Sequence, residues 1–230
     1  MNSFDTAIEA LLTRPNFGPT ATHILSAVAD MYTFKGMVLI PILWWIWFQP
    51  AARREWRREI VIATLVSGVL SLAVGRTLAA LLPFRARPLY DHNVHLHFPA
   101  GVTQGAALAS WSSFPSDHAM LWSAVAAGIF IVWRLIGLLA LIYTAIFICF
   151  PRAYLGYHFP TDLLAGATIG IIITYVTTHD IIRKRYAPHF LRWMERYPGP
   201  SAMVGLIVCI ELVTQFDELR RIASFASKAL

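Results

Sequence analysis

Six apolar runs divide the chain, and they constrain its fold more than any other feature of the sequence. They cover residues 34–48, 60–82, 119–133, 135–150, 163–178 and 201–216. A helix needs about 20 apolar residues to cross a bilayer core, with a lower limit near 17, so the shorter runs must borrow flanking residues or tilt. Composition agrees, because 57% of residues are hydrophobic and only 14% charged, against about a quarter charged in soluble domains. We predict an all-α, polytopic membrane protein with about six transmembrane helices, five or seven being the alternatives.

Apolar residues at helical spacing precede the first run. Ile8, Leu11 and Leu12 form one such set, and Ile24, Val28 and Met31 another. This spacing predicts one or two amphipathic helices on the membrane surface. The domain organisation expected is an N-terminal segment 1–33, a transmembrane domain 34–217 and a tail 218–230.

The basic residues predict the topology. Ten of the nineteen Lys and Arg lie in alternate loops, namely 51–59, the junction at Arg134 and the stretch between the fifth and sixth runs, 179–200. An excess of Lys and Arg marks cytoplasmic loops. We therefore expect loops 89–114 and 151–161 and both termini on the outer side. The net charge of +6 is explained by topology, so no nucleic-acid partner is predicted.

Three polar clusters fall on the predicted outer side at similar depth. Ionisable residues at membrane depth are costly and indicate a functional site. The clusters are Arg76 with Arg85 and Arg87-Pro88, then Pro115-Ser116-Asp117-His118, and finally Arg152, His158 and Asp162.

These residue types suit a phosphoryl group. The guanidinium groups of arginine bind phosphate oxygens in a bidentate manner, and helix N-termini attract anions. Ser116 is expected to cap one such helix, and Pro160 is expected in the first turn of another. A neutral His158 could attack phosphorus, with Asp162 accepting its other ring N–H. His118 could protonate the leaving oxygen and then activate water. The arrangement needs neither a metal nor a cofactor.

The motifs resemble those of the type-2 phosphatidic acid phosphatase (PAP2) superfamily, whose signatures read K-x6-R-P, P-S-G-H and S-R-x5-H-x3-D. The resemblance implies a PAP2-type helical bundle with active-site segments 76–118 and 151–162. It implies His158 as the nucleophile, Asp162 as its orienting partner and His118 as the acid. It also implies that phosphate is bound by Arg87, Ser116 and Arg152.

The sequence departs from these signatures at three positions. Pro151 replaces the Ser of the third signature, and Asp117 replaces the Gly of the second. Ala80 stands where the first signature has Lys, a cation that Arg76 could supply. Whether Arg85 or Arg87 is the main phosphate ligand stays open, although Pro88 favours Arg87.

The resemblance implies hydrolysis of a terminal phosphate from a lipid, with undecaprenyl pyrophosphate or a similar polyprenyl carrier first and phospholipid phosphates next. The expected location is a bacterial cytoplasmic membrane, with the site facing outward. Two alternatives remain: a lipid-to-lipid phosphotransferase using the same site, and a non-catalytic transporter or scaffold for anionic lipids.

Some features outside these motifs also carry expectations. His92, His95 and His97 form a weaker metal-site alternative, which a solvated loop also explains. Loop 89–114 is long enough to contribute to substrate entry. The pair Gly166 and Gly170 predicts close helix packing.

Overall fold

The described part of the chain folds into helices. The computed structural model describes residues 3–13, 18–50, 52–91, 98 and 109–217, and the regular elements within these ranges are helical. The all-α prediction is confirmed. In chain order the helices are α1 (Ser3–Thr13), α2 (Gly18–Asp30), α3 (Tyr32–Lys35), α4 (Leu39–Phe48), α5 (Arg54–Leu81), α6 (Asp117–Val132), α7 (Arg134–Tyr154), α8 (Pro160–Thr178), α9 (Asp180–Arg196) and α10 (Pro198–Thr214).

The long helices are those of a membrane protein. Helices α5, α7 and α8 are long and apolar enough to cross a bilayer, and α4, α6 and α10 are shorter apolar helices. The six predicted runs coincide with these six helices, while the number of true spans stays a prediction. Leu138, Leu139 and Ile142 on α7 are about half exposed, as expected of side chains in contact with lipid.

Helix α6 forms the centre of the bundle and packs against α5, α7 and α8. Its Leu121, Trp122 and Val125 side chains are completely buried. Because it is covered on every side, α6 is apolar all round and has no polar stripe.

Two glycines bring α8 unusually close to α6. A Cβ added at Gly166 would lie 2.6 Å from the Ser116 carbonyl oxygen, and one at Gly170 would lie 2.1 Å from the Met120 carbonyl oxygen. Only residues without a side chain allow this approach, as the sequence predicted. The packing places the first turns of α6 and α8 side by side.

Helices α1 and α2 lie where the sequence predicts amphipathic N-terminal helices, and their location on the membrane surface stays a prediction. They pack against the C-terminal end of α7, and α1 also contacts α8. Asp5 and Ala29 are buried there, so these helices belong to the bundle rather than lying apart from it.

The basic stretch between the last two apolar runs is itself a helix, α9. The guanidinium of Arg183 contacts Glu59 of α5 at 2.9 Å, which fixes α9 against the bundle. The proposed boundaries 1–33 and 34–217 stay predictions. The tail 218–230, the three histidines of the 92–97 segment and most of loop 89–114 lie outside the described residues.

Candidate active site

A cavity of about 430 Å3 opens at the end of the bundle where α6 and α8 begin. The polar residues that line it include Lys35, Arg87, Asp117, His118, Arg152 and His158. A neighbouring cavity of about 360 Å3 shares Arg87, Asp117 and His158 and continues along the end of α5 past Ala79 and Phe84. The site therefore has a polar lobe and a more apolar lobe on either side of His158.

His158 lies in the connection between α7 and α8 and is only 4% exposed. Its Nδ1 is 2.8 Å from the carbonyl oxygen of Ser113. A carbonyl can only accept, so Nδ1 carries the hydrogen and Nε2 keeps its lone pair. Burial, reinforced by the nearby Arg87 charge, lowers the pKa of His158 well below its usual value. The side chain is thus a neutral imidazole whose Nε2 carries no hydrogen and accepts a long hydrogen bond, 3.4 Å, from Arg87 Nη1.

The expected hydrogen bond between Asp162 and His158 is wrong. The Asp162 carboxylate instead accepts from the Phe159 backbone N–H at 2.9 Å and from the Ser113 hydroxyl. The physical reason is the position of Asp162 in the first turn of α8, where an acidic side chain turns back to cap the helix. Ser113 therefore connects the two residues. Its hydroxyl donates to the Asp162 carboxylate, and its backbone carbonyl accepts from the His158 imidazole.

Arg85 lines neither cavity, so its expected contact with phosphate is not supported. Its guanidinium bonds to Asp162 and lies 2.6 Å from Asp5 of α1. The same group stacks 4.1 Å above the Phe159 ring centroid. Its Nη1 and Nη2 atoms bond to Asp162, Thr161 and Asp5, so Arg85 joins α1 to α8.

Arg87 is the arginine of the first cluster that lies beside the imidazole. Its Nη1 is 3.0 Å from the Tyr157 carbonyl oxygen and 3.4 Å from His158 Nε2. Its Nε is buried and has no hydrogen-bond partner within the described part of the chain. The geometry therefore favours Arg87 over Arg85 as the group available to an anion.

The other expected phosphate ligands divide between the lobes. Arg152 is buried and lines the polar lobe, held by the carbonyls of Ile148 and Ala29 at 2.6 and 3.3 Å. Arg76 lines the apolar lobe, where it donates to the Gln215 carbonyl at 2.5 Å. Ser116 is fully buried and caps α6 by accepting from Ala119 at 3.5 Å. The cap is confirmed, but Ser116 lines neither lobe.

His118 stands in the first turn of α6, on the wall of the polar lobe. Its Nδ1 lies 2.8 Å from a carboxylate oxygen of Asp117. Since a carboxylate accepts, Nδ1 donates to it and Nε2 is available for proton transfer. Asp117, which replaces the glycine of the second signature, therefore fixes the orientation of the His118 imidazole.

Sequence reasoning missed three residues of this region. Ser113 sets the tautomer of His158, Asp5 binds Arg85, and Lys35 lines the polar lobe. Only Ser113 carried a signal, since it lies just before the Pro-Ser-Asp-His motif. No group of three or more His, Cys, Asp and Glu side chains is placed to hold a metal ion among the residues that the structure describes.

Fold and site together define a helical membrane protein with a basic, histidine-containing pocket at one end. The sequence profile of the PAP2 superfamily matches residues 56–186. This match covers more than half of the chain, and the chain therefore belongs to the PAP2 superfamily.

Individual relatives agree with this assignment. The chain is 32% identical over 135 residues to the putative undecaprenyl-diphosphatase YbjG of Escherichia coli, covering 58% of this chain and 61% of the relative. It is 27% identical over 145 residues to the undecaprenyl-diphosphatase BcrC of Bacillus subtilis, and the match covers 63% of this chain and 67% of BcrC. The crystal structure of a transmembrane PAP2-type phosphatidylglycerolphosphate phosphatase from Bacillus subtilis has the same fold, with a TM-score of 0.53, 20% identity and coverage of 76% and 83%.

Proposed function

We propose that this protein is a metal-independent lipid phosphatase that hydrolyses the terminal phosphate of a polyprenyl diphosphate through a phosphohistidine on His158. The observation that carries the proposal is the protonation pattern of His158. Its Nδ1–H is fixed on the Ser113 carbonyl, which leaves Nε2 unprotonated next to Arg87. A neutral imidazole nitrogen beside a fixed guanidinium is what attack on an anionic phosphorus centre requires.

The first chemical step transfers the phosphoryl group to the enzyme. His158 Nε2 forms a bond to phosphorus while the bond between phosphorus and the leaving oxygen breaks. The electron pair goes to that oxygen, which takes the Nε2 proton of His118 in its imidazolium form, while the Nδ1 proton stays on the hydrogen bond to Asp117. Arg87 and Arg152 neutralise the charge that spreads over the equatorial oxygens, which is the main demand of phosphoryl transfer.

The second step returns His158 to its starting state. His118, now neutral, takes a proton from water, and the water oxygen attacks phosphorus. The N–P bond breaks, and orthophosphate leaves. Asp162 and Asp117 do not touch the reacting atoms; they position the two imidazoles, Asp162 through Ser113 and Asp117 directly.

The apolar lobe supports a lipid as the substrate. It runs from His158 past Ala79, Ala80 and Phe84 at the end of α5, so a lipid can reach the imidazole from the bilayer side. The names of the two relatives favour a polyprenyl diphosphate. By the distribution of basic residues, the site faces outward from a bacterial cytoplasmic membrane.

The test is phosphate release by the purified protein from polyprenyl diphosphates, phosphatidate and phosphatidylglycerol phosphate, in the presence of EDTA. We expect metal-independent release that falls at least about 100-fold in His158→Ala and in His118→Ala, in keeping with contributions of roughly 10²–10⁴. His189→Ala is the matched control, because this histidine is exposed on α9. Its activity should equal that of the wild type.

Several outcomes would contradict the proposal. Release that requires a divalent ion would exclude the direct histidine mechanism. Protein quenched in alkaline detergent from reactions with labelled substrate should carry an acid-labile, base-stable label that is absent from His158→Ala. A label elsewhere would also refute the proposal. Label recovered on a second lipid instead of orthophosphate would identify a phosphotransferase.

A further inference from the structure

Helix α1 places a buried carboxylate next to the site, although it lies outside residues 56–186, the part of the chain that matches the family profile. This carboxylate belongs to Asp5, which is completely buried. One of its oxygens accepts from the Thr161 backbone N–H at 2.9 Å. The other accepts from the Thr161 hydroxyl at 2.8 Å and from Arg85 at 2.6 Å. Both oxygens therefore have the partners that a buried charge requires.

The contact with Thr161 caps helix α8. Thr161 is the second residue of this helix, and Pro160 before it has no N–H. Asp5 thus accepts from the first free N–H at the positive end of α8. The anion at this N–H is a carboxylate of the protein itself.

Arg85 continues the contact from α1 to the nucleophile. Its Nη2 bonds to Asp5, and its Nη1 bonds to Asp162. The second oxygen of Asp162 accepts from the Ser113 hydroxyl, and the Ser113 carbonyl accepts from His158 Nδ1 at 2.8 Å. An unbroken series of hydrogen bonds therefore joins the first helix to the imidazole.

Arg85 also contacts the two segments that flank the imidazole. Its guanidinium lies 4.1 Å from the centroid of the Phe159 ring, and Phe159 follows His158 in the chain. Its backbone carbonyl accepts from the Ser113 N–H at 2.8 Å. Because a guanidinium is a rigid plane, a carboxylate on each Nη atom fixes its orientation. Loss of either carboxylate frees the guanidinium to rotate and loosens the residues around the imidazole.

We infer that Asp5 is a positioning residue for the nucleophile His158, so that helix α1 is part of the catalytic unit. This inference rests on the proposed function. Asp5 lines neither lobe of the site, so it does not bind the substrate. It holds Arg85, and Arg85 holds the residues that aim the imidazole at phosphorus. Removal of the Asp5 charge should slow the attack of Nε2 and leave substrate binding unchanged, because a displacement of about 1 Å costs about 100-fold in rate.

The first experiment replaces Asp5 by its uncharged isostere and measures phosphate release from undecaprenyl diphosphate. In Asp5→Asn, kcat should fall by roughly 10- to 100-fold, the range for loss of one hydrogen bond to a charged group. KM should change by less than about twofold. Asp180→Asn is the matched control, because Asp180 also pairs with an arginine, Arg183, at 2.8 Å. It lies beyond the other end of α8, ~28 Å away for a helix of 19 residues, and its kinetics should equal those of the wild type.

A second variant decides the question even if Asp5→Asn does not fold. Arg85→Lys keeps the charge but has a single nitrogen in place of the planar pair, so it cannot hold both carboxylates in the same geometry. It should show a similar loss in kcat with an unchanged KM. In the double variant the two losses should not multiply, because both changes break the same series of hydrogen bonds. An unchanged kcat in Arg85→Lys, or losses that multiply, would overturn the inference.

Inhibition separates positioning of the nucleophile from a general loosening of the fold. Orthovanadate adopts the five-coordinate geometry of the transition state, whereas orthophosphate is the product. In Asp5→Asn and Arg85→Lys, inhibition by vanadate should weaken by about the factor lost in kcat, and inhibition by orthophosphate should stay as in the wild type. Equal weakening of both would overturn the positioning role.

The same measurements distinguish failure of the inference from failure of the proposed function. An active wild type with Asp5→Asn kinetics equal to those of Asp180→Asn would overturn only the role of Asp5. A wild type that releases no phosphate would overturn the proposed function itself.

Discussion

Gly170 provides a quantitative test of how the bundle holds its two histidines. A Cβ at this position would lie 2.1 Å from the Met120 carbonyl oxygen, against a lower limit of 3.4 Å for ordinary contact. In Gly170→Ala, helices α6 and α8 must therefore separate by about 1.3 Å, since the obstacle is backbone and cannot rotate away. Helix α6 carries His118, and α8 follows directly after His158.

The separation has two consequences of different size. Overpacking of a buried contact costs about 1–3 kcal/mol, which corresponds to a fall in unfolding temperature of about 2–12 °C for a chain of this length. A displacement of about 1 Å at a reacting centre costs about 100-fold in rate. We therefore expect Gly170→Ala to remain folded at 20 °C and yet lose about 100-fold in kcat.

Gly205→Ala is the matched control, because a Cβ on this α10 glycine has no atom within 4 Å. Both variants should be purified in the same detergent and measured by thermal unfolding and by phosphate release. If Gly170→Ala unfolds and turns over like Gly205→Ala, the close approach of α6 and α8 does not set the geometry of the site, and the reasoning is refuted.

Two further predictions concern the imidazoles. Asp117→Ala should lower kcat by roughly 10- to 100-fold with little change in KM. The substitution removes a charge-assisted hydrogen bond to His118 and not a phosphate ligand. An unchanged kcat would exclude this positioning role of Asp117. The depressed pKa of His158 means that the unfolded chain binds its proton below pH about 6.5 while the folded chain does not. The free energy of unfolding should therefore decrease from pH 7.5 to pH 5.5 more steeply in the wild type than in His158→Gln. Thermal unfolding at each pH measures this decrease. Equal slopes in the two proteins would contradict the assignment of a neutral, buried His158.

The sequence predicted the parts of the site that lie in short motifs at helix ends. His118 lies in the first turn of α6, and His158 lies just before α8. A motif at a helix N-terminus specifies both its helix and its end of the bundle. The prediction of a direct contact between Asp162 and His158 was wrong, because helical spacing alone does not show that the Asp162 carboxylate caps helix α8. Asp5 and Lys35 could not be predicted, since one acidic residue on an amphipathic helix and one lysine before an apolar run are typical of solvated surface. Their contacts arise only from tertiary packing over long sequence separations.

The ion cluster of Arg85 with Asp5 and Asp162 makes completion of the fold depend on synthesis order. Its members come from the first helix, the connection after α5 and the first turn of α8, so it cannot form until the ribosome has passed residue 162. Until then Arg85 and Asp5 can bind each other, but Arg85 lacks the Asp162 carboxylate and Asp5 lacks the Thr161 backbone N–H. Helix α1 therefore gains its full set of polar partners only after the first turn of α8 has been synthesised.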